Sequence, residues 1–237
     1  MKPRTPSASG GSGHEAALAQ YRQRAGRYDL ELMAFEPIRR RAIERLALRP
    51  GQSVLDVGCG TGLSLGPLRA GVGPSGRIVG IEQSPEMLEQ ARRRAAAQAW
   101  RPPAKRRSEA DPAAGTTTLL CSPAEEAPLT GHADAALFFF VHDIVRSRAA
   151  LDHVLRHLAP GARVVAAGLQ WAPPWALPVN AFVWGAALYS VTSLEGLRQP
   201  WSLLAERLVD LRVADDLMLG GVYLAEGRMP GPARHAR

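Results

Sequence analysis

The residues most able to bind a small molecule lie at the end of a short β-rich run. This run, Ser53–Val57, is apolar apart from Asp56, and it continues into a glycine-rich loop, Gly58-Cys59-Gly60-Thr61-Gly62. Glycine lets a backbone turn sharply and lets a ligand approach without a Cβ in the way. In open α/β sheets, ligands bind where a strand turns into a helix in this manner. The sequence therefore predicts a binding site at this loop.

The charge beside the loop indicates which kind of cofactor it binds. A dinucleotide fingerprint reads G-x-G-x-x-G, but counting from Gly58 the last glycine is replaced by Leu63. The carboxylate of Asp56 would also repel a pyrophosphate. S-adenosylmethionine carries a sulfonium and an amino group but no phosphate, so an acid beside the loop suits it. The pattern favours this cofactor and disfavours the alternative of a nicotinamide-dependent oxidoreductase.

A second acid, Glu82, ends the next β-rich run, Arg77–Glu82. In nucleotide-binding folds an acid at this place accepts hydrogen bonds from ribose hydroxyls. Asp56 and Glu82 together therefore indicate a nucleoside cofactor with a positive charge. Cys59 has no neighbouring base in the sequence that could activate it, so we interpret it as a small packing residue of the loop.

Strands and helices alternate around these residues. Ser84 and Pro85 suit the cap and the first turn of a helix after the second strand. Further strands are predicted over 116–121, 135–140, 163–168, 213–219 and 221–226, and helices over 62–69, 85–97 and 147–158. Parallel strands need such crossover connections. We therefore predict a Rossmann-like, doubly wound α/β fold: a mostly parallel sheet of about seven strands, an antiparallel closing hairpin, and helices on both faces.

The 237 residues suffice for one α/β domain with its own core. We predict a disordered tail over 1–14 and a single domain over 15–237. Within the domain, residues 15–48 show helical spacing and form N-terminal cap helices. The apolar section 171–208 forms a mostly helical cover over the substrate, and 100–115 is an inserted loop.

The composition indicates a soluble protein. Hydrophobic residues make up 46% and charged residues 22% of the chain, which is usual for globular proteins. The longest apolar stretch, 164–191, is interrupted by prolines, so it is a poor spanning helix. Cys59 and Cys121 are too few for a disulfide framework and lack the spacing of metal ligands. We therefore expect a reduced, cytoplasmic setting and no metal.

A basic run lies between Arg92 and Arg107, in a chain whose formal net charge is +7. We interpret it as a solvated helix end and loop, because Trp100 is the one aromatic residue that interleaves with it. The alternative is an electrostatic contact with an anionic membrane surface or with nucleic acid.

Two segments together resemble a known family. The run Val54–Gly62, followed by Gly80–Met87, looks like class I S-adenosylmethionine methyltransferases of the ubiquinone/menaquinone C-methyltransferase type. It is also similar to bacterial phospholipid N-methyltransferases. The resemblance covers roughly Tyr21 to Leu158. It implies methyl transfer from S-adenosylmethionine to a small, lipophilic acceptor, such as a quinone precursor, a phospholipid or a similar metabolite.

The resemblance also implies which residues hold the cofactor. The implied contacts are Asp56 and the backbone of Gly58, Cys59, Gly60 and Gly62 for the methionine end, Glu82 for the ribose, and Gln83 and Met87 along the adenosine. The family usually places an acid after the third strand for the adenine amino group. This chain has Pro123 there, so the adenine contact falls to the backbone N–H of Ala124.

Methyl transfer mainly needs alignment of the reactants and exclusion of water. Where a base is needed, His142 and Asp143 are the candidates, because they follow the predicted strand at its C-terminal end and face the cleft. A polar turn into the next helix is the alternative interpretation of this pair. Tyr28 is a third candidate, since the N-terminal helices of the resembling family fold over the cofactor.

Two further interpretations use the basic run 92–107, namely a nucleic-acid methyltransferase and a non-catalytic binding module. The chain lacks an Asn-Pro-Pro-Tyr-type motif after the fourth strand, which amino-directed nucleic-acid enzymes often carry. We therefore rank both below transfer to a small molecule or lipid. No feature of the sequence specifies an oligomeric state.

Overall fold

The computed structural model describes residues 33–98, 115–190 and 196–231. Its strands are β1 (Ser53–Val57), β2 (Arg77–Glu82), β3 (Thr117–Cys121), β4 (Ala133–Phe139), β5 (Leu158–Leu169), β6 (Val209–Leu217) and β7 (Val222–Arg228). Its helices are α1 (Glu36–Leu46), α2 (Leu65–Val72), α3 (Pro85–Gln98), α4 (His142–Arg146), α5 (Arg148–Leu155), α6 (Leu177–Ser190) and α7 (Ser202–Ala205). Short 3-10 turns occupy Met33–Phe35 and Met218–Gly220.

The strands form one seven-stranded sheet in the order β3-β2-β1-β4-β5-β7-β6. The first five strands of this order are parallel, whereas β7 runs antiparallel to both β5 and β6. The predicted Rossmann-like fold and its antiparallel closing hairpin are thus confirmed. Because the chain winds from β1 to β2 and β3 and then returns to β4 on the other side, β1 stands at the point where the winding direction reverses. Ligands of open α/β sheets bind at this point.

Two apolar layers cover the sheet, because alternate residues of a strand point to opposite faces. On one face, Val54 and Leu137 pack in a cluster with Ile38 and Leu46 of α1 and Leu68 of α2. On the other face, the neighbouring strand residues pack in a second cluster with α5 and α7; these include Leu55, Phe138, Ala166, Leu151, Val154 and Leu204. Burial on both faces explains why all five residues of β1 are buried.

Several predicted boundaries were wrong, among them the starts of β5 at Leu158 and of β6 at Val209 and the three that follow. Helix α2 begins at Leu65 and not near Gly62, because Gly62 has a φ of +82°, outside the helical range. The helix predicted over 147–158 ends at Leu155, and β5 already begins at Leu158. Strand β4 ends at Phe139, because Phe140 has a φ of +57°.

Ser147 begins α5 as predicted, and its hydroxyl accepts a hydrogen bond from the N–H of Ala150 at 3.2 Å. The sequence missed that a separate short helix, α4, precedes it. Of the predicted helical section 171–208, the described residues contain α6 and the short α7. The tail 1–14, the first cap helix and residues 100–114 lie outside the described residues. None of the described helices is long and apolar enough to cross a membrane.

The central strand β4 gives a direct test of this packing. Leu137 is fully buried between β1 and β5, whereas Leu177 at the start of α6 is 71% exposed. We expect Leu137→Ala to lower the free energy of unfolding by about 3 kcal/mol, since it removes buried methyl groups and leaves a cavity. Leu177→Ala, the same change at the surface, should cost less than about 0.5 kcal/mol. Urea unfolding followed by circular dichroism measures both, and equal losses would contradict the described core.

Candidate functional site

A cleft opens at the carboxyl ends of β1, β2 and β4, beside the glycine-rich loop. The residues that line it are Gly58, Gly60, Ile81, Glu82, Gln83, Ser84, Met87, Ser122, Ala124, Glu125, Phe139, Phe140, Val141, His142, Asp143, Ile144, Ser147 and Ala150. Six of the nine predicted cofactor-binding residues are among them, namely Gly58, Gly60, Glu82, Gln83, Met87 and Ala124. The cleft lies at the end of β1, where the winding direction of the sheet reverses. The predicted residues therefore lie at the position where this kind of fold binds ligands.

The floor of the cleft is formed where the glycine-rich loop meets the end of β4. Gly58 has a φ of +67°, and a Cβ added there would lie 2.4 Å from Cγ1 of Val141. A larger residue at this position would therefore need both a strained backbone and a displaced neighbour. This contact fixes the loop against the residues that precede α4.

Glu82 joins the loop to the start of α3 through its carboxylate. One oxygen accepts a hydrogen bond from the Gly60 N–H at 3.0 Å, and the other accepts from the Ser84 N–H at 2.8 Å. Burial raises the pKa of Glu82, and the backbone hydrogen bonds of Ser84, Gly60 and Gln83 partly offset this rise. A carboxylate has about four lone-pair positions, so acceptor capacity is left for a ligand hydroxyl beside these backbone donors.

Asp56 lies behind the loop and not in the wall of the cleft. It is 1% exposed, and its Oδ2 atom has no hydrogen-bond partner. Burial raises the pKa of Asp56 to about 7; the Arg39 charge opposes this rise, and the Glu82 charge adds to it. Its influence on a ligand in the cleft is therefore electrostatic, exerted from beneath the loop.

Arg39 of α1 is a buried cation whose charge lowers the pKa of Asp56, and it was not among the residues predicted from the sequence. It is 2% exposed, forms an ion pair with Glu36, and places its guanidinium 4.8 Å from the ring centre of Phe139. Its Nε atom has no hydrogen-bond partner. Arg39 falls in a run of three arginines, and only α1's packing against β4 and β5 reveals which of them is buried.

These observations fit S-adenosylmethionine. An unpartnered, buried carboxylate oxygen and a second buried carboxylate make the loop region attractive to a cation and unfavourable to a phosphate. The residues of this chain that would hold the cofactor are Glu82 at the ribose and the Gly58–Gly60 backbone at the methionine end. Gln83, Met87 and the Ala124 N–H would lie along the nucleoside.

The other two predicted cofactor contacts lie outside the cleft wall. Cys59 is buried and free, and burial with the charges of Asp56 and Glu82 raises the pKa of its thiol. A protonated thiol is a poor nucleophile, which agrees with a packing role. Gly62 packs against Leu65 and Ala91, so it serves the contact between α2 and α3.

His142 and Asp143 form the first residues of α4 and line the cleft next to Phe140 and Val141. They are therefore placed where a base could reach an acceptor, and their role stays a prediction. Tyr28 lies outside the described residues. In the basic run, Arg92 and Arg93 in the middle of α3 approach Glu89 at 3.8 and 3.2 Å, and residues 99–107 are not described.

Comparison with known proteins agrees with this geometry. Residues 54–161 match the family model of a methyltransferase domain. Nocamycin O-methyltransferase from Saccharothrix syringae is 43% identical over 65 residues, which cover 27% of this chain and 23% of that protein. Aklanonic acid methyltransferase DauC from Streptomyces sp. strain C5 is 39% identical over 74 residues, covering 31% of this chain and 34% of that one. The chain thus spans about a third or less of the curated relatives it matches.

The fold is shared with a solved structure, the N-methyltransferase NodS from Bradyrhizobium japonicum WM9 in complex with S-adenosyl-L-homocysteine. The TM-score is 0.56 at 19% identity, over 83% of this chain and 88% of that one. The fold, the cleft and the match over residues 54–161 together indicate the class of S-adenosylmethionine-dependent, class I methyltransferases.

The raised pKa of Asp56 predicts a pH dependence of stability. Between about pH 4 and pH 7, folded Asp56 keeps a proton that the unfolded chain has lost, so this group lowers stability as the pH rises. Asp56→Asn removes that effect. The stability of Asp56→Asn relative to the unmodified protein should rise through this window, by at most about 1.4 kcal/mol per pH unit, and level off above pH 7. Parallel unfolding curves at pH 5, 6, 7 and 8 measure it, and an unchanged difference would contradict it.

Proposed function

We propose that this protein transfers the methyl group of S-adenosylmethionine to a small, lipophilic acceptor. The observation that carries the proposal is the buried Glu82 carboxylate, which links Gly60 to Ser84 at the wall of the cleft and retains acceptor capacity beside its backbone donors. This arrangement suits a ribose hydroxyl. The buried acids around it favour a cationic nucleoside without phosphate.

Some residues of the cleft would bind the cofactor, and others would accept a proton from the acceptor. S-adenosylmethionine, when bound, supplies a methyl group on a positively charged sulfur. Glu82 would orient the ribose, and the Gly58–Gly60 backbone would let the methionine end approach closely. His142 or Asp143 would take the proton from the acceptor atom as that atom gains the methyl group.

The apolar surface near the cleft supports a lipophilic acceptor. Trp175, Leu177, Phe182 and Trp184 are exposed large apolar residues of α6 and the segment before it. The ring centre of Phe182 lies 6.3 Å from that of Phe35, which packs on Phe140 of the cleft. Exposed apolar groups close to a cleft are typical of sites that bind apolar ligands. The names of two relatives, for nocamycin and aklanonic acid, also refer to small-molecule acceptors.

The proposed acceptors form one class, that of small lipophilic molecules, although the members of this class differ in chemistry. A quinone precursor, a phospholipid and a polyketide-like molecule each offer a nucleophilic atom on an apolar body. The expected cytoplasmic location stays a prediction, supported by the free thiols of Cys59 and Cys121.

The cofactor assignment is tested by binding. Glu82→Ala should weaken the binding of S-adenosylhomocysteine by on the order of 2 kcal/mol, because the hydrogen bonding of the carboxylate to the ribose is lost. Isothermal titration calorimetry measures the affinity. The matched control is Glu125→Ala, an exposed acid of the same cleft that accepts no described hydrogen bond from the loop. An unchanged affinity for Glu82→Ala would remove Glu82 from the site.

The acceptor class is tested by transfer of a radiolabelled methyl group. Demethylmenaquinone-type naphthoquinols, phosphatidylethanolamine vesicles and hydroxyanthraquinones serve as acceptors, and a short RNA is included as the nucleic-acid arm. We expect label in at least one lipophilic acceptor, none in RNA, and at least a tenfold lower rate for His142→Ala if His142 is the base. Labelling of RNA alone would overturn the proposed acceptor class.

A further inference from the structure

The end of β4 breaks the alternation of a normal strand. Phe138 is fully buried on the face of α5, and Phe139 lies on the opposite face with α1. Regular geometry would return Phe140 to the side of Phe138. Its φ of +57° instead turns Phe140 to the side of Phe139, and the two ring centres lie 4.8 Å apart.

This conformation is unfavourable for a bulky side chain, and the surroundings hold it in place. The left-handed region is unfavourable for a non-glycine residue and uncommon for an aromatic one. The Phe140 N–H donates to the carbonyl of Ala167 at 2.7 Å, which keeps the residue attached to β5. Phe35 packs its ring centre 4.5 Å from that of Phe140. Such strain, when it is maintained by neighbours, is typical of functional positions.

The result is a pair of adjacent aromatic rings in the wall of the cleft. Phe139 and Phe140 both line the cleft, but Arg39 already lies over the Phe139 ring at 4.8 Å. Phe139 is 8% exposed, whereas Phe140 is only half-buried. Phe140 is therefore the ring of this pair that a ligand in the cleft can contact more fully.

We propose that Phe140 recognises the positive charge of the sulfonium through a cation–π contact, a role that rests on the proposed cofactor. The face of an aromatic ring attracts a cation. A carboxylate at the same place would attract the sulfonium too, but its oxygen is a nucleophile and would itself be a target for the methyl group. A phenyl ring stabilises the charge and offers no lone pair to methylate. The strained phenylalanine after β4 would thus stabilise the charge without competing for the methyl group.

The proposal predicts that Phe140 distinguishes S-adenosylmethionine from S-adenosylhomocysteine, because only the first carries the sulfonium charge. For Phe140→Leu we expect the affinity for S-adenosylmethionine to fall about fivefold to tenfold, and that for S-adenosylhomocysteine to stay within twofold. Phe140→Tyr keeps the ring and should retain the ratio of the two affinities. Calorimetric titration of both ligands into each purified, full-length variant gives these ratios.

The matched control is Phe35→Leu, which removes a ring that packs on Phe140 but does not line the cleft. It should change both affinities by the same factor. If Phe140→Leu fails to fold, a second variant takes its place. Replacement of Phe140 by 3,4,5-trifluorophenylalanine keeps the ring and withdraws charge from its face, so it should lower the affinity for S-adenosylmethionine alone.

Equal losses for both ligands, or no loss for either, in the folded Phe140→Leu or trifluorinated variant would overturn the role of Phe140 while leaving the cofactor assignment intact. Failure of the unmodified protein to bind either ligand would instead overturn the proposed function on which the inference rests.

Discussion

The Glu82 carboxylate makes the contact on which the rest of the site depends. By accepting from the Gly60 N–H and the Ser84 N–H, it joins the loop after β1 to the turn after β2. The same carboxylate therefore shapes the cleft and presents acceptor positions within it. The Ser84 hydroxyl adds a third link, because it accepts from the Met87 N–H and so starts α3 at the edge of the cleft. The shape of the cleft and the proposed ribose contact thus depend on the same side chain.

A buried acid and a buried base behind the loop also affect the site. Asp56 and Arg39 each retain a polar atom without a partner, on two elements that pack together behind the loop. Leaving such atoms unpaired costs free energy, and the arrangement persists because helix, loop and sheet are packed around them. The electrostatic character of the cleft is thus set partly by residues that do not line it.

The sequence predicts the parts of this site that depend on local chemistry. The bounds of β1 and β2, the cap at Ser84 and six residues of the cleft wall follow from glycine, proline and acid positions. The same reasoning could not find Arg39, because three consecutive arginines are equivalent until a helix face is chosen by packing. Nor could it find the turn at Phe140. Three consecutive phenylalanines predict continued strand, and only the contacts with Phe35 and β5 select a left-handed backbone there.

The placement of β6 at the margin of the sheet affects how copies of this chain meet each other. An unpaired strand edge is a template for hydrogen bonding to another molecule, and a straight apolar edge promotes aggregation. Here the outer strand carries the exposed charges of Asp210, Arg212 and Asp216, and its register with β7 shifts twice. Charged side chains and an irregular backbone disfavour the alignment of a second sheet along this edge. The antiparallel hairpin that completes the fold therefore ends in a strand that is a poor template for further pairing.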